Sequence, residues 1–300
     1  MAERTVLVTG ATGYVGRRLV PALLAAGHSV RALVRDPAAA GLPTGAVAVQ
    51  GDITDPASLG AACAGVDTVV SLAAVTADRK PPRGGYDSVN AVGVENLVAA
   101  AKVAGVTRIV HMGGIDTGTG KPGPYLVGRR RGERAVTDSG ILWAILQPSI
   151  MFGGPDSAFV HAMAGLVRRA PVVPVPGNGK LLLQLVWVDD VVRCLVALVR
   201  DATLVGRHPI GGPEQLTYDA QLDVIGSALG KKHVRKLHLP LGLMRLQASL
   251  MQVLPKPPLT PAALELFASD NVAGVDAIPG GFGFEPRSFR AHLAEHGLNG

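Results

Sequence analysis

The sequence has 300 residues, of which 48% are hydrophobic and 17% charged, and this composition excludes a disordered chain and predicts a large buried core. Gly (38) and Pro (22) follow no G-X-Y period, which excludes a collagen-like chain. The net charge is +6, but the basic residues stand in short clusters and aromatic residues make up only 4%. Nucleic-acid binding is therefore not expected.

The two cysteines, Cys63 and Cys194, lie far apart in apolar, helix-like stretches, without a second ligand at metal spacing. We expect both to be small buried side chains and expect no metal site. No apolar run reaches the roughly 18 residues that cross a bilayer. The first strand-like run begins at Thr5, which leaves no room for a signal peptide, so the sequence predicts a cytoplasmic protein.

The first half of the chain alternates short β-branched runs with alanine-rich helical stretches, as is typical of a parallel sheet covered on both faces. Strands are predicted at 5–10, 29–35, 46–50, 68–74, 108–113 and 142–147. Helices are predicted between them at about 14–26, 56–64, 87–104 and 125–139. The pattern indicates an α/β fold, with a doubly wound parallel sheet built by residues 1–150.

After Pro148 the pattern loosens into segments interrupted by Gly and Pro. A strand at about 181–188 and a helix at 189–200 are predicted to return to the core, within residues 181–204. Residues 151–180 and 205–300 are expected to form a smaller α/β substrate lobe, with helices at about 217–229, 240–254 and 260–269. Ligands of doubly wound sheets bind beyond the carboxyl ends of the strands, so we expect this lobe to close over that edge.

A glycine-rich turn, Gly10 to Gly16 (GATGYVG), follows the first strand and opens the first helix. Gly10 permits a sharp turn, Gly13 allows close approach of a pyrophosphate, and Gly16 allows the helix to pack tightly on the strand. Exposed amides at the helix start then bind the anion. The context predicts a Rossmann dinucleotide site, with a glycine turn that binds no ligand as the alternative.

The spacing G-x-x-G-x-x-G resembles that of extended and atypical short-chain dehydrogenases/reductases. Further stretches agree in chain order: Gly51-Asp52-Ile53, Leu72-Ala73-Ala74, Gln147-Pro148-Ser149 and Trp187-Val188-Asp189-Asp190-Val191. The C-terminal stretch 283–289 (GFEPRSF) is similar to the NAD(P)H-binding, NmrA-like branch. Within that branch the likeness is closest to NDUFA9-like proteins, relatives of an accessory subunit of respiratory complex I.

The resemblance implies a set of cofactor contacts. Besides the three glycines, it places Thr12, Tyr14 and Val15 in the phosphate turn, Asp52 and Ile53 at the adenine, Leu72, Ala73 and Ala74 at the ribose, and Pro148 at the nicotinamide. For Asp52 the alternative is a turn or capping residue.

The end of the second strand predicts the choice of cofactor. An NAD enzyme keeps an acidic residue about 20 positions after the fingerprint for the ribose hydroxyls, but this chain has Val34 and Arg35 there. A guanidinium binds a 2′-phosphate well. NADP(H) is therefore predicted, with NAD(H) as the second choice, and the alternative for Arg35 is an ordinary surface charge.

For catalysis, the resemblance implies a Tyr that donates a proton beside the nicotinamide, a Lys four residues later and a Ser. Tyr125 is followed by Arg129 and then Glu133, and Gly113 stands in the segment where the Ser is expected. Two of the three groups have therefore changed. Tyr125 and Arg129 remain the catalytic candidates, and the alternative for Tyr125 is a half-buried residue of a helix.

Other polar residues have simpler interpretations. His111 is expected to be a packed core histidine, and Asp189 and Asp190 are expected to cap a helix and support its dipole. Thr117 and Thr119 lie in a glycine-rich loop and are weaker candidates for the missing hydroxyl.

One helix of the lobe suggests the nature of the substrate. The stretch 238–254 places apolar residues at 239, 243, 246, 250, 253 and 254, a stripe expected to pack on the core of the lobe itself. The hypothesis drawn from it is that Met244 and Met251 face the nicotinamide, since methionine suits a deformable pocket wall. Pro255, Pro257 and Pro258 would then act as a stiff hinge, and the ligand would be apolar, quinone-like or lipid-like.

Two functions remain open. One is an NADP(H)-dependent reductase or epimerase for a small, apolar molecule; the other is a non-catalytic dinucleotide-binding sensor or assembly protein. A homo-oligomer is compatible with either. The sequence has neither a G-x-S-x-G elbow nor a Walker A loop, which argues against a serine hydrolase and an ATPase.

Overall fold

The computed structural model describes residues 3–77, 84–116, 122–251, 260–267 and 269–299. In chain order the elements are β1 (Thr5–Thr9), α1 (Gly16–Ala25), β2 (Ser29–Val34), β3 (Ala46–Gln50), α2 (Leu59–Cys63), β4 (Thr68–Ser71), α3 (Val94–Val103), β5 (Arg108–Met112), α4 (Pro124–Thr137), β6 (Leu142–Pro148), β7 (Met151–Phe152), α5 (Ala158–Arg169), β8 (Val173–Pro176), β9 (Leu182–Leu183), β10 (Val186–Trp187), α6 (Val188–Arg200), β11 (Gly206–Ile210), β12 (Leu216–Thr217), α7 (Tyr218–Ala228), β13 (Lys236–Leu239), α8 (Leu241–Met251), α9 (Pro261–Glu265), α10 (Ala277–Phe282) and α11 (Phe289–His296).

Seven parallel strands form the central sheet, in the order β3-β2-β1-β4-β5-β6-β11. Helices α1 and α6 cover one face, and α2, α3 and α4 cover the other. The strands β1, β4 and β5 are apolar on both faces because both faces are covered. The predicted doubly wound α/β fold is confirmed, and the first six strands lie within three residues of their predicted bounds.

One buried side chain joins the start of β5 to the C-terminal end of α6. Arg108 is 1% exposed, and burial lowers the pKa of its guanidinium. Its nitrogens donate hydrogen bonds of 2.6 to 3.1 Å to carbonyl oxygens at the end of α6, those of Leu198, Asp201, Ala202 and Leu204. A cation at a helix C-terminus also opposes the negative end of the helix dipole.

Two expectations for the second half are wrong. The apolar run 181–188 forms two short strands outside the central sheet, because the buried Gln184 side chain bonds to Gly212 O and Ala273 N in the lobe. Of the stretch 181–204, α6 packs on the central sheet, and Val186 of β10 is buried in the same core. Residues 206–210, expected in the lobe, instead pair in parallel with β6 as an edge strand. Their sequence, GRHPI, carries little of the apolar pattern of a buried strand.

The rest of the lobe is built from short elements. Three two-stranded sheets, β7–β10, β9–β12 and β8–β13, pack with α5, α7 and α11 around a third apolar core. Helices α7, α8 and α9 fall within the predicted ranges 217–229, 240–254 and 260–269, whereas α5, α10 and α11 were not predicted.

The orientation of α8 differs from the one expected. Met244 and Ala248 are buried against Leu264 and Phe267, whereas the stripe residues at 243, 246 and 250 are 45%, 58% and 68% exposed. The stripe does not pack on the core of the lobe, because α8 contacts α9 through a neighbouring face. Met244 lies inside this cluster, so the structure does not support the hypothesis that Met244 lines a pocket at the nicotinamide. The side chain of Met251 and residues 252–259 lie outside the described part.

Both cysteines are free and buried, as predicted. Burial raises the pKa of the Cys63 thiol to about 11 and raises that of Cys194 further. Within the described ranges, no group of three His, Cys, Asp or Glu side chains is placed to hold a metal ion. Nor is any helix of those ranges long and apolar enough to cross a membrane.

Candidate functional site

The turn after β1 requires glycine at its first position. Gly10 has a φ of +68°, which side chains rarely adopt. A Cβ added there would lie 2.8 Å from the amide nitrogen of Ala73 and 2.9 Å from the carbonyl carbon of Leu72. The end of β1 therefore lies directly against the loop that follows β4. Thr9 Oγ1 holds the two together, since it accepts from the amides of Leu72 (3.2 Å) and Ala73 (3.3 Å).

The same turn leaves the start of α1 open to solvent. The amide of Gly13 donates to Gly10 O at 3.0 Å, and a Cβ at Gly16 would overlap Gly10 O. Thr12 and Gly13 are exposed. Among the described residues, no side chain caps α1, and its first turn contains no acidic residue. A helix start of this kind fits a phosphate group, because its amides and dipole attract an anion.

Two residues of the turn face the protein with their side chains. Tyr14 Oη donates to the carbonyl oxygen of Gly153 at 2.7 Å, and burial raises the pKa of the Tyr14 phenol. Val15 is 4% exposed, in the core. Tyr14 therefore joins the phosphate turn to the lobe, and the predicted cofactor contacts of both residues would be made by their backbone.

The end of β2 presents Arg35 to solvent. Val34 is 6% exposed, whereas Arg35 is exposed and its carbonyl accepts from Gln50 Nε2 at 3.5 Å. The next residue, Asp36, accepts from the amide of Ala38 at 3.0 Å, so this carboxylate is engaged in the following turn. The guanidinium remains accessible to a ligand, and its predicted contact with a 2′-phosphate stays a prediction.

The segment after β3 has a structural role of its own. Asp52 Oδ1 accepts from both the amide and the hydroxyl of Thr54 at 2.8 Å, which is the turn role weighed as its alternative. Ile53 is 5% exposed, and a Cβ at Gly93 would lie 2.7 Å from its Cδ1. The adenine contacts of both residues stay predictions beside these roles.

The residues predicted for the ribose and nicotinamide follow neighbouring strands. Leu72 is 8% exposed, Ala73 is half-buried and Ala74 is exposed. Pro148 is buried at the end of β6, where its carbonyl accepts from the amide of Ile115 at 3.2 Å. Since all these strands are parallel, the phosphate turn, the loop after β4 and Pro148 lie along one edge of the sheet.

Tyr125 lies in the first turn of α4. It is 8% exposed and packs edge-to-face on Tyr86, with 5.4 Å between ring centroids. The guanidinium of Arg129 lies 5.6 Å from the centroid of its ring. Sequence reasoning missed Tyr86, because it precedes α3 in a segment without a periodic pattern. Tyr125 is thus buried more deeply than the half-buried position given as its alternative, and its catalytic role stays a prediction.

Arg129 and Glu133 occupy the space beside the loop after β5. Arg129 Nη2 donates to Gly114 O at 2.6 Å and lies 3.9 Å from Glu133 Oε1. A Cβ at Gly114 would lie 2.8 Å from Arg129 Nη2, and one at Gly113 would overlap Glu133 Oε1. A side chain at Gly113, in the segment where the resemblance implies a serine or threonine, would therefore require the carboxylate to move.

Glu133 belongs to a buried polar network. Its carboxylate accepts from Gln147 Nε2 at 3.1 Å and pairs with Arg207 Nη2 at 3.4 Å. Burial raises the pKa of Glu133, and the charges of Arg129 and Arg207 oppose that shift. The sequence shows that Glu133 stands four residues after Arg129. Its pairing with Arg207 could not be predicted, because β11, which carries Arg207, was not predicted as a strand.

His111 is buried at the end of β5, as predicted for a core histidine. Its Nδ1 lies 3.1 Å from Ser71 Oγ on β4. Burial, together with the positive charges of Arg129 and Arg207, lowers its pKa to about 4. The imidazole is therefore neutral near pH 7.

The aspartates at the start of α6 do not form the predicted capping bonds. Trp187 holds the N-cap position, and Asp190, further into the first turn, accepts instead from the amide of Arg287 at 2.7 Å. Asp189 pairs with Arg18 Nε at 3.3 Å. Both carboxylates still lie in the first turn, where they favour the helix dipole. Thr117 and Thr119 lie outside the described residues.

Known proteins match nearly the whole chain. Residues 10–172 match the sequence model of a family described as NAD(P)H-binding. The chain is 31% identical to the NAD(P)H azoreductase of Xenophilus azovorans, over 97% of this chain and 99% of that protein. It is also 31% identical to the (4-alkanoyl-5-oxo-2,5-dihydrofuran-3-yl)methyl phosphate reductase of Streptomyces griseus subsp. griseus, over 97% of each.

The fold matches solved structures as well. The UDP-glucose 4-epimerase of Thermus thermophilus, solved in complex with NAD, superposes with a TM-score of 0.70 at 19% identity, over 98% of this chain and 97% of that one. The narrower likeness to NDUFA9-like proteins stays a prediction. The chain belongs to the NAD(P)H-binding family of oxidoreductases, within the extended and atypical short-chain dehydrogenase/reductase superfamily.

Proposed function

We propose that the protein is an NADP(H)-dependent reductase of a small, apolar molecule, with Tyr125 as its proton donor. The observation that carries the proposal is the pairing of Tyr125 with a cation held in place. Arg129 lies against the tyrosine ring and bonds to the loop after β5, at the sheet edge that also carries the open phosphate turn. The two relatives matched over their full length are both named as reductases, which supports this reaction class.

The nicotinamide, when bound, supplies a hydride. Tyr125 Oη then gives its proton to the oxygen or nitrogen of the acceptor, and solvent returns a proton to the phenolate. Arg129, beside the ring of Tyr125, is the positive charge proposed to offset the negative charge that forms during this exchange. Arginine stays protonated in proteins, so Arg129 acts as a fixed charge and does not relay the proton.

An apolar acceptor is supported by the surroundings of Tyr125. Its neighbours are the buried Ala77, Tyr86 and Ala262, together with partly buried Val75, Leu126 and Leu266. A wall of this kind binds an apolar group by excluding water.

Arg35 is proposed to select NADP(H). Its exposed guanidinium stands at the end of β2, where a 2′-phosphate would be recognised. A charge-assisted hydrogen bond of this kind contributes about 1.5 to 3 kcal/mol, or roughly tenfold to a hundredfold in affinity. Calorimetry is expected to show tighter binding of NADPH than of NADH, and Arg35→Asp is expected to abolish or reverse the preference. Arg134→Asp, at an exposed position of α4, is the matched control. Equal affinities in the wild type would overturn the assignment.

Turnover tests the role of Tyr125. NADPH oxidation is followed with an azo dye, a naphthoquinone and an aromatic ketone as acceptors. Tyr125→Phe is expected to lower kcat by about a hundredfold to ten-thousandfold while NADPH affinity is unchanged. Tyr218→Phe is the matched control, because Tyr218 is buried in the core of the lobe. Turnover retained within a few-fold in Tyr125→Phe would refute the proton-donor role.

A second function is favoured by one observation. Gly113 and Gly114 provide no hydroxyl group to hold the acceptor, and the Glu133 carboxylate lies beside Gly113 instead. A non-catalytic dinucleotide sensor or assembly protein needs no such group. Tight NADPH binding without turnover of any of the three acceptors would favour this second function.

A further inference from the structure

A short segment of the lobe, residues 260–267, lies against the start of α4. Thr260 Oγ1 donates to the carbonyl oxygen of Ala77 and accepts from the amide of Ala263 at 3.0 Å. Ala262 is 5% exposed and belongs to the apolar cluster that contains Tyr86 and Tyr125. The segment is therefore joined to the loop after β4 by a hydrogen bond and to Tyr125 by apolar contact.

The same segment provides the cap of α4. Glu265 Oε2 accepts from the amide of Leu126 at 3.2 Å, and its carboxylate is also hydrogen-bonded to the amides of Gly123 and Tyr125. A Cβ added at Gly123 would overlap the carboxyl group. Gly123 is the N-cap residue of α4 and has no side chain with which to cap it. A carboxylate from the lobe thus binds helix amides that lack partners inside the helix.

The cap acts on the first turn of α4. Tyr125 and Leu126 lie in the first turn of α4, whereas Arg129 lies one turn further on. The first-turn amides depend on a cap, and a first turn without one frays. Loss of the carboxylate therefore affects the backbone that carries Tyr125 before it affects the backbone that carries Arg129.

We propose that Glu265 is a positioning residue for Tyr125: it fixes the first turn of α4, so that the phenol is aligned only when the 260–267 segment is docked. This inference rests on the proposed function, in which Tyr125 donates the proton. Glu265 itself touches neither acceptor nor cofactor in the proposed mechanism.

The first test is amide hydrogen exchange at Tyr125 and Leu126, measured by NMR. Glu265→Ala is expected to speed exchange at these two amides by about fivefold or more, as expected for a lost cap. Glu265→Gln, which keeps an acceptor oxygen, is expected to restore part of the protection. Glu285→Ala, at an exposed position near α11, is the control. Exchange at Tyr125 and Leu126 unchanged in Glu265→Ala would overturn the proposal.

The second test is a double-mutant cycle, with NADPH and the acceptor turned over fastest among the three named above. Glu265→Ala is expected to lower kcat by about tenfold with NADPH affinity and KM nearly unchanged, and to have no further effect when combined with Tyr125→Phe. An equal effect of Glu265→Ala in both backgrounds would show that it does not act through Tyr125. If Tyr125→Phe alone leaves turnover intact, the proposed function fails. If Tyr125→Phe abolishes turnover while Glu265→Ala matches Glu285→Ala, only the positioning role fails.

Discussion

Acidification is expected to destabilise the folded protein through His111. Burial lowers the pKa of this imidazole from 6.5 to about 4. Between those pH values the unfolded chain binds a proton at His111 and the folded chain does not. The free energy of unfolding therefore falls as the pH falls. The contribution is fully present above pH 6.5 and is lost by pH 4, and at 1.36 kcal/mol per unit it amounts to about 3 kcal/mol.

Other buried groups oppose this dependence. Burial raises the pKa of Glu133, Asp190 and Glu265, so these carboxyl groups bind protons more tightly in the folded state and favour folding as the pH falls. The pKa values of His28 and His208 are lowered, and these groups act in the same direction as His111. The pH dependence of wild-type stability is thus the sum of opposed contributions, so it does not report on His111 alone.

A variant isolates the contribution of His111. Gln at this position keeps a polar partner for Ser71 and does not titrate. Urea unfolding at several pH values between about 7.5 and 4.5 should show wild-type stability falling relative to His111→Gln, by about 3 kcal/mol over the full window. His233→Gln, at an exposed position of the lobe, should follow the wild type. Parallel curves for the wild type and His111→Gln would refute the reasoning.

Three further substitutions probe the framework of the site by chemical unfolding. Arg108→Met should destabilise the fold by about 2 to 4 kcal/mol, because it leaves buried carbonyl oxygens without donors; the exposed-site control Arg134→Met should cost less than about 0.5 kcal/mol. Gly10→Ala should cost about 1 to 3 kcal/mol, since its Cβ would overlap the loop after β4, and calorimetry should show weaker NADPH binding. Tyr14→Phe should cost about 0.5 to 1.5 kcal/mol through loss of the bond to Gly153 O; a stability equal to that of the wild type would show that this bond is not needed to hold the turn.

Much of the nucleotide-binding half follows from local patterns. The strands β1 to β6 and the helices between them were predicted within a few residues, with α3 taken together with the π-helical turn Ser88–Gly93 that precedes it. A buried parallel strand is a run of apolar residues, and a surface helix has a period near 3.6. The glycine turn was also predicted from a local pattern. Gly10 has a positive φ of 68°, a backbone conformation that favours glycine.

Contacts between distant parts of the chain decided the rest. The carboxylate of Glu133 lies against Gly113, Glu265 caps a helix that starts 141 positions earlier in the chain, at Pro124, and β11 enters the sheet with little apolar pattern. The face that α8 buries depends on α9. Periodicity reports only what lies within a few residues along the chain, whereas a cap, an edge strand and a buried ion pair depend on which segments meet in space.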